Sequence, residues 1–130
     1  MAAVFEHVNL TVPDPKATAG LLVELFDWQI RWEGEAMAGG YTVHVGNDSG
    51  YLALYRPADP SRLLAATAER AKSVVGALNH VAVVVDDLDA MESRIQAAGY
   101  KTLNHGSYEP GRRYYFYDDD GIEFEVVSYG

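Results

Sequence analysis

Two stretches of this chain repeat one another: FEHVNLTVPD, from Phe5 to Asp14, and LNHVAVVVDD, from Leu78 to Asp87. Each has a histidine in third place, valine next, and an acid-containing break after the apolar run. A repeat of this length is decisive for the fold, because each copy predicts one supersecondary unit rather than an isolated strand. Within each copy apolar and polar positions alternate as in a half-buried strand. Val8, Leu10 and Val12 point one way and His7, Asn9 and Thr11 the other; Val81, Val83 and Val85 oppose His80, Ala82 and Val84.

Helical patterns follow both stretches. Asp14 can cap a helix with Pro15 in its first turn, and Leu21, Leu22, Leu25 and Phe26 recur at helical spacing. In the second copy Asp86 or Asp87 can cap, Leu88, Met91, Ile95 and Ala98 form the apolar stripe, and Gly99 suits the C-terminal end. Three strand-like runs come after each helix: Gln29–Glu33, Tyr41–Val45 and Tyr51–Tyr55, then Lys101–Asn104, Arg113–Tyr117 and Ile122–Ser128. NDSG and DDDG supply the turn before the last run of each copy.

The unit is therefore βαβββ, present twice: module one at about 1–57 and module two at about 77–130, joined by about 58–76, where Ser61–Ser73 reads as a short helix. The expected fold is a single α+β domain over 1–130 with helices on one side of mainly antiparallel sheets. Related by pseudo-twofold symmetry, the two modules would cup their free sheet faces around a central cavity.

Composition agrees with a compact domain. The 130 residues are 48% hydrophobic and 22% charged, which suits a globular chain with a core. A net charge of −9 argues against a nucleic-acid partner, since binders of phosphate backbones present basic surfaces. No apolar run approaches a membrane span and no signal pattern opens the chain, so it reads as a cytoplasmic protein without a membrane role. Without cysteine there are no disulfides and no thiolate metal sites.

The final strand, in DDDGIEFEVV from Asp118 to Val127, carries Glu123 and Glu125 on one face. Aligning the copies at Asn47–Gly50 and Asp118–Gly121 sets Leu52 against Glu123 and Leu54 against Glu125. A face that is leucine in one copy is expected to be interior in both. His7, His80 and Glu125 could then converge from three strands, over a cavity floor made partly of Leu52 and Leu54.

The doubled βαβββ pattern, His7 in HVNLTV, His80 in HVAVVV and YFYDDDGIEFE ending in Glu125 together resemble the vicinal-oxygen-chelate superfamily. That group includes glyoxalase I, extradiol dioxygenases, fosfomycin-resistance proteins, methylmalonyl-CoA epimerase and metal-free bleomycin-binding proteins. The resemblance implies His7, His80 and Glu125 as metal ligands. Two imidazoles and one carboxylate suit a divalent Fe, Mn, Ni or Zn ion with positions open for substrate oxygens. It also implies a homodimer in which modules can be exchanged between chains.

Glyoxalase I would be expected to carry a fourth ligand, a glutamate, where this alignment has Leu54. That departure argues against hemithioacetal isomerisation and against the paired acids of an epimerase. The extradiol pattern is a near miss: His105 lies upstream of its expected place, and Asp119 replaces proline in the turn. Tyr115 would contact substrate oxygen or simply pack on the cavity wall. His44, its partner in the repeat, is either a proton carrier or a hydrogen-bonded lining residue. Arg113 shares a face with Tyr115 and would meet an anionic substrate, whereas Arg112 faces solvent. Glu123 reads as a rim acid, and His105, in the loop HGSYEPG, as a solvated histidine or part of a lid. Trp28 and Trp32 are expected in core or dimer packing. The functions left are a metal-dependent enzyme acting on a small organic substrate, a metal-free binding protein, and a divergent glyoxalase I.

Overall fold

A computed structural model describes residues 2–64, 68–108 and 110–130. The chain divides into two compact units, Met1–Leu64 and Ala65–Gly130. The first contains β1 (His7–Thr11), α1 (Pro15–Phe26), β2 (Gln29–Glu35), β3 (Tyr41–Asn47) and β4 (Gly50–Arg56). The second contains α2 (Ala68–Ser73), β5 (Val81–Val84), α3 (Leu88–Ala97), β6 (Leu103–Tyr108), β7 (Gly111–Tyr117) and β8 (Glu123–Ser128). The βαβββ repeat is thus present in both.

Each unit holds a four-stranded mixed sheet, ordered β1-β4-β3-β2 in one and β5-β8-β7-β6 in the other. The first strand runs parallel to the last, and the remaining pairs are antiparallel. A parallel neighbour requires a crossover, which the helix after the first strand supplies. Asp14 caps α1 by accepting from the Ala17 amide at 3.1 Å, and Asp87 caps α3 through the Ala90 amide at 3.0 Å.

The core of unit one lies between α1 and its sheet, where Leu22 and Leu25 meet strands bearing Val43, Val45, Leu52 and Leu54, all buried. In unit two Leu88 and Ile95 of α3 are buried together with Tyr114, Phe116, Phe124 and Val126. The rings of Phe116 and Phe124 stack 5.2 Å apart, and the Tyr114 hydroxyl donates to the Leu88 carbonyl at 3.1 Å. Each large side chain so buried stabilises the fold by about 1.5–3 kcal/mol.

Strand register corrects the alignment of the repeat. Val8 pairs with Leu52 and Asn9 with Ala53, while Val81 pairs with Phe124 and Ala82 with Glu125. Matching His7 to His80 therefore makes Leu52 the twin of Phe124, Ala53 that of Glu125, and Tyr51 that of Glu123. The cause is the turn. Residues 47–50 separate the paired Gly46 and Tyr51, whereas 118–122 separate Tyr117 and Glu123, which is four residues against five. In the longer turn the Asp118 carboxylate accepts from the amides of Asp120 and Ile122, each at 2.9 Å, and Gly121 adopts a left-handed φ of 80°. One extra residue reverses the faces of everything after it. Leu52 and Leu54 consequently face α1.

Two further expectations change. The helix expected over 61–73 is a 3-10 turn at Pro60–Arg62 followed by α2; its middle, 65–67, lies outside the described residues. The loop expected at HGSYEPG is largely strand, since β6 runs to Tyr108 and β7 begins at Gly111; its Glu109 lies outside the described residues. Asn104, at a left-handed φ of 55°, marks a register shift in β6 between Leu103 and Gly106.

Candidate functional site

Alternation along β8 places Phe124 and Val126 in the core and Glu123 and Glu125 on the face away from α3. On that face Glu125 stands beside Tyr115 of β7, its cross-strand partner, and beside Ala82 of β5. His80, just before β5, brings its Nε2 to 3.7 Å from Glu125 Oε1. The Tyr115 hydroxyl donates to the same oxygen at 2.8 Å. Arg113 Nη1 lies 3.7 Å from Glu125 Oε2, with 11% and 10% of the two side chains exposed. Burial, followed by the hydrogen bond to Glu125, pushes the Tyr115 phenol up to about 12. The shift carries the phenol further into its neutral, donating form.

The histidines share a further device. His80 Nδ1 lies 2.9 Å from Asn79 Oδ1, and His7 Nδ1 lies 2.8 Å from Glu6 Oε1. In both modules an oxygen of the preceding side chain faces Nδ1, so a neutral ring would carry its proton there and turn the Nε2 lone pair outward, the usual bracing of a metal-binding imidazole. The signal was present in the repeat, as a hydrogen-bonding residue one place before each histidine. Glu6 also accepts from the Tyr51 hydroxyl at 3.2 Å. Hydrogen bonds from His7 and then Tyr51 hold the Glu6 carboxyl below its ordinary range.

In module one Tyr51 replaces the acid and the corresponding face carries rings. Tyr51 stacks on His7 at 4.8 Å and on His44 at 4.6 Å, and Trp32 lies 5.3 Å beyond His44. Arg31 covers Tyr51 at 4.5 Å. Burial and then the nearby His7 depress the basicity of His44, which favours its neutral form. Trp32 is half exposed on this face and not a core residue.

Several expected site residues lie elsewhere. Leu52 and Leu54 belong to the helix-side core and floor no ligand face. His105 pairs with Glu92 of α3 and packs against the Tyr114 ring at 5.6 Å, so the kink in β6 turns it away from Glu125. There it helps line a cavity of about 180 Å³ with Glu92, Arg112 and Tyr114. Glu123 is on the face of Glu125 but buried instead of at a rim, with Lys72 Nζ 3.2 Å from one oxygen and the Tyr117 hydroxyl 3.4 Å from the other. Lys72 and Tyr117 had no sequence signal, because both roles depend on contacts formed only on folding. Arg112 pairs with Asp89 at 3.3 Å and is largely exposed, as expected.

His80 and Glu125 fit a divalent cation in donor type and spacing. Two donors each about 2.1 Å from a common ion lie no more than about 4.2 Å apart, so a separation of 3.7 Å accommodates both. Among the described residues, no group of three histidine, cysteine or acidic side chains is gathered around one point.

Comparison with known proteins gives the family. No curated protein matches the chain in sequence. Among solved structures, a glyoxylase/bleomycin resistance protein/dioxygenase domain from Frankia sp. EAN1pec is 21% identical, covers the whole of both chains and superposes with a TM-score of 0.77. A mutant of the fosfomycin-resistance protein FosX from Listeria monocytogenes, complexed with Mn(II) and 1S,2S-dihydroxypropylphosphonic acid, is 20% identical; the match covers 98% of this chain and 93% of that one at a TM-score of 0.72. TnmS3, an antibiotic binding protein from a Streptomyces species, is 16% identical, with 100% and 98% covered at a TM-score of 0.70. At these identities the likeness establishes the fold. The family model described as Glyoxalase/Bleomycin resistance protein/Dioxygenase superfamily matches residues 4–126, and the chain belongs to that superfamily.

Proposed function

We propose that this chain is a divalent-metal-dependent enzyme acting on a small organic substrate through adjacent oxygens. The observation that carries the proposal is the pairing of His80 Nε2 with Glu125 Oε1 at 3.7 Å, with Nδ1 of the same ring held by Asn79. His80 and Glu125 would hold the ion, with His7 as the third ligand that the family resemblance implies, from this chain or from a second copy in a homodimer. Fe, Mn, Ni and Zn all suit two imidazoles and a carboxylate. When bound, such an ion acts as a Lewis acid toward substrate oxygens.

The protein's own groups have separate tasks. Asn79 and Glu6 keep the imidazoles in the tautomer with a free Nε2. Tyr115 donates a hydrogen bond, either to Glu125 as here or to a substrate oxygen. His44, which stacks on Tyr51 and whose basicity burial lowers, is the candidate proton carrier of module one. The twin of Glu125 is Ala53, which cannot ligate. A four-ligand glyoxalase I site is thus disfavoured, for the reason given by sequence but at a different residue.

One observation favours a second reading, metal-free binding of a small molecule. Glu125 already has neutral and cationic neighbours, Tyr115 and Arg113, on its two oxygens, so it is compensated without an ion. Elemental analysis of protein purified without a histidine tag, followed by Mn(II) titration monitored by electron paramagnetic resonance, separates the readings. The enzyme reading expects one tightly held ion per chain, lost in Glu125→Ala and His80→Ala. Absence of uptake of Mn, Fe, Ni and Zn by the native protein would overturn it.

A further inference from the structure

Arg113 has more donors than its surroundings use. It lies on β7 between Gly106 of β6 and Val127 of β8. Gly106 offers no side chain, and the Tyr108 ring occupies that space: a Cβ at Gly106 would fall 2.6 Å from Tyr108 Cε1. The ring lies 4.8 Å from the Arg113 guanidinium carbon. The guanidinium is therefore flanked by an aromatic ring and, 3.7 Å from Nη1, by Glu125 Oε2. Its other edge, Nε and Nη2, is buried and makes no hydrogen bond among the described residues.

Unmade donors of this kind are unfavourable, since each lost its hydration on folding without gaining a partner. Nε and Nη2 are also the two parallel N–H groups of a fork that matches the two oxygens of a carboxylate or phosphonate. Tyr108, whose ring lies on Gly106 and against the guanidinium, is 61% exposed, so the ring can move without disturbing the core. Arg112, the adjacent cation, is already paired with Asp89.

We propose that the Nε and Nη2 edge of Arg113 is an oxyanion subsite, which Tyr108 covers when empty and stacks beside when filled. The substrate class is then a small molecule carrying a carboxylate or phosphonate close to the oxygens that approach His80 and Glu125. This rests on the reading of His80 and Glu125 as the reaction centre, but the subsite itself requires only Arg113 and Tyr108.

Methylphosphonate and acetate serve as probes, titrated separately into native protein with and without Mn(II), with binding followed by calorimetry. One probe should bind at one site per chain. Arg113→Lys, which retains the charge but not the fork, should weaken it at least tenfold, and Arg113→Met should abolish it. Arg112→Ala should leave it unchanged, and the better of the two probes identifies the oxyanion. Equal binding to native protein and to Arg113→Met, or binding of neither probe to native protein, would overturn the subsite. The metal reading is judged separately by Mn(II) uptake. Arg113-dependent probe binding without Mn(II) uptake would uphold the subsite while removing that reading, and Mn(II) uptake with Arg113-independent probes would do the reverse.

Discussion

Leu54→Ala provides a sharp test of which face of sheet one is interior to its module. Leu54 is fully buried, sits opposite Val43 on β3 and Leu10 on β1, and lies on the side of α1. Truncation removes apolar carbons and leaves a cavity that the rigid strands on either side cannot close. Losses of about 2–5 kcal/mol are expected for such a site. At about 3–5 °C per kcal/mol for a domain of this size, the midpoint of thermal unfolding should fall by about 6–25 °C. Urea denaturation of native and variant protein measures the loss directly, and Mn(II) titration of the variant should match that of the native protein. A ligand-facing leucine would behave oppositely. A stability loss below about 1 kcal/mol, together with altered ion or ligand binding, would refute the register derived for β4.

Two titrations test the electrostatics. Absorbance difference between native protein and Tyr115→Phe should show one phenol ionising near pH 12, moving downward in Glu125→Gln; because the raised pKa favours the neutral folded form, the associated stability is present below about pH 10 and is lost as pH rises through 12. A midpoint near 10 would contradict the burial argument. Asp118 is pushed up to about 6 from 3.8, chiefly by burial, so the folded chain retains a proton that the unfolded chain has released. Native stability relative to Asp118→Asn should therefore be greatest below about pH 4 and decline by about 2–3 kcal/mol as pH rises to 6, read by urea denaturation at each pH. A flat or rising difference would show that the turn amides, not desolvation, govern this carboxylate.

The repeated histidine strands, the capping aspartates and the alternating apolar runs were all legible in the chain, because each reports local geometry: period two for strands, 3.6 for helices, and a side-chain oxygen before a helix. These determined the two βαβββ modules, set His80 on the side of its strand away from the helix, and put Arg113 and Tyr115 on one face of β7. The equivalence of His44 and Tyr115 was legible too, since it lies before the unequal turns. What followed those turns was not. Glu125 is the twin of Ala53 and not of Leu54 because Asp118 folds a turn one residue longer than its counterpart, and side-chain direction in a strand reverses with every residue. His105, Lys72 and Tyr108 acquired their places for a different reason: contacts to Glu92, Glu123 and Arg113 join residues distant in sequence or lie across a kinked strand, and no local periodicity records them. Sequence by itself determined the elements and their candidate chemistry; tertiary structure decided the register, and with it which side chains meet.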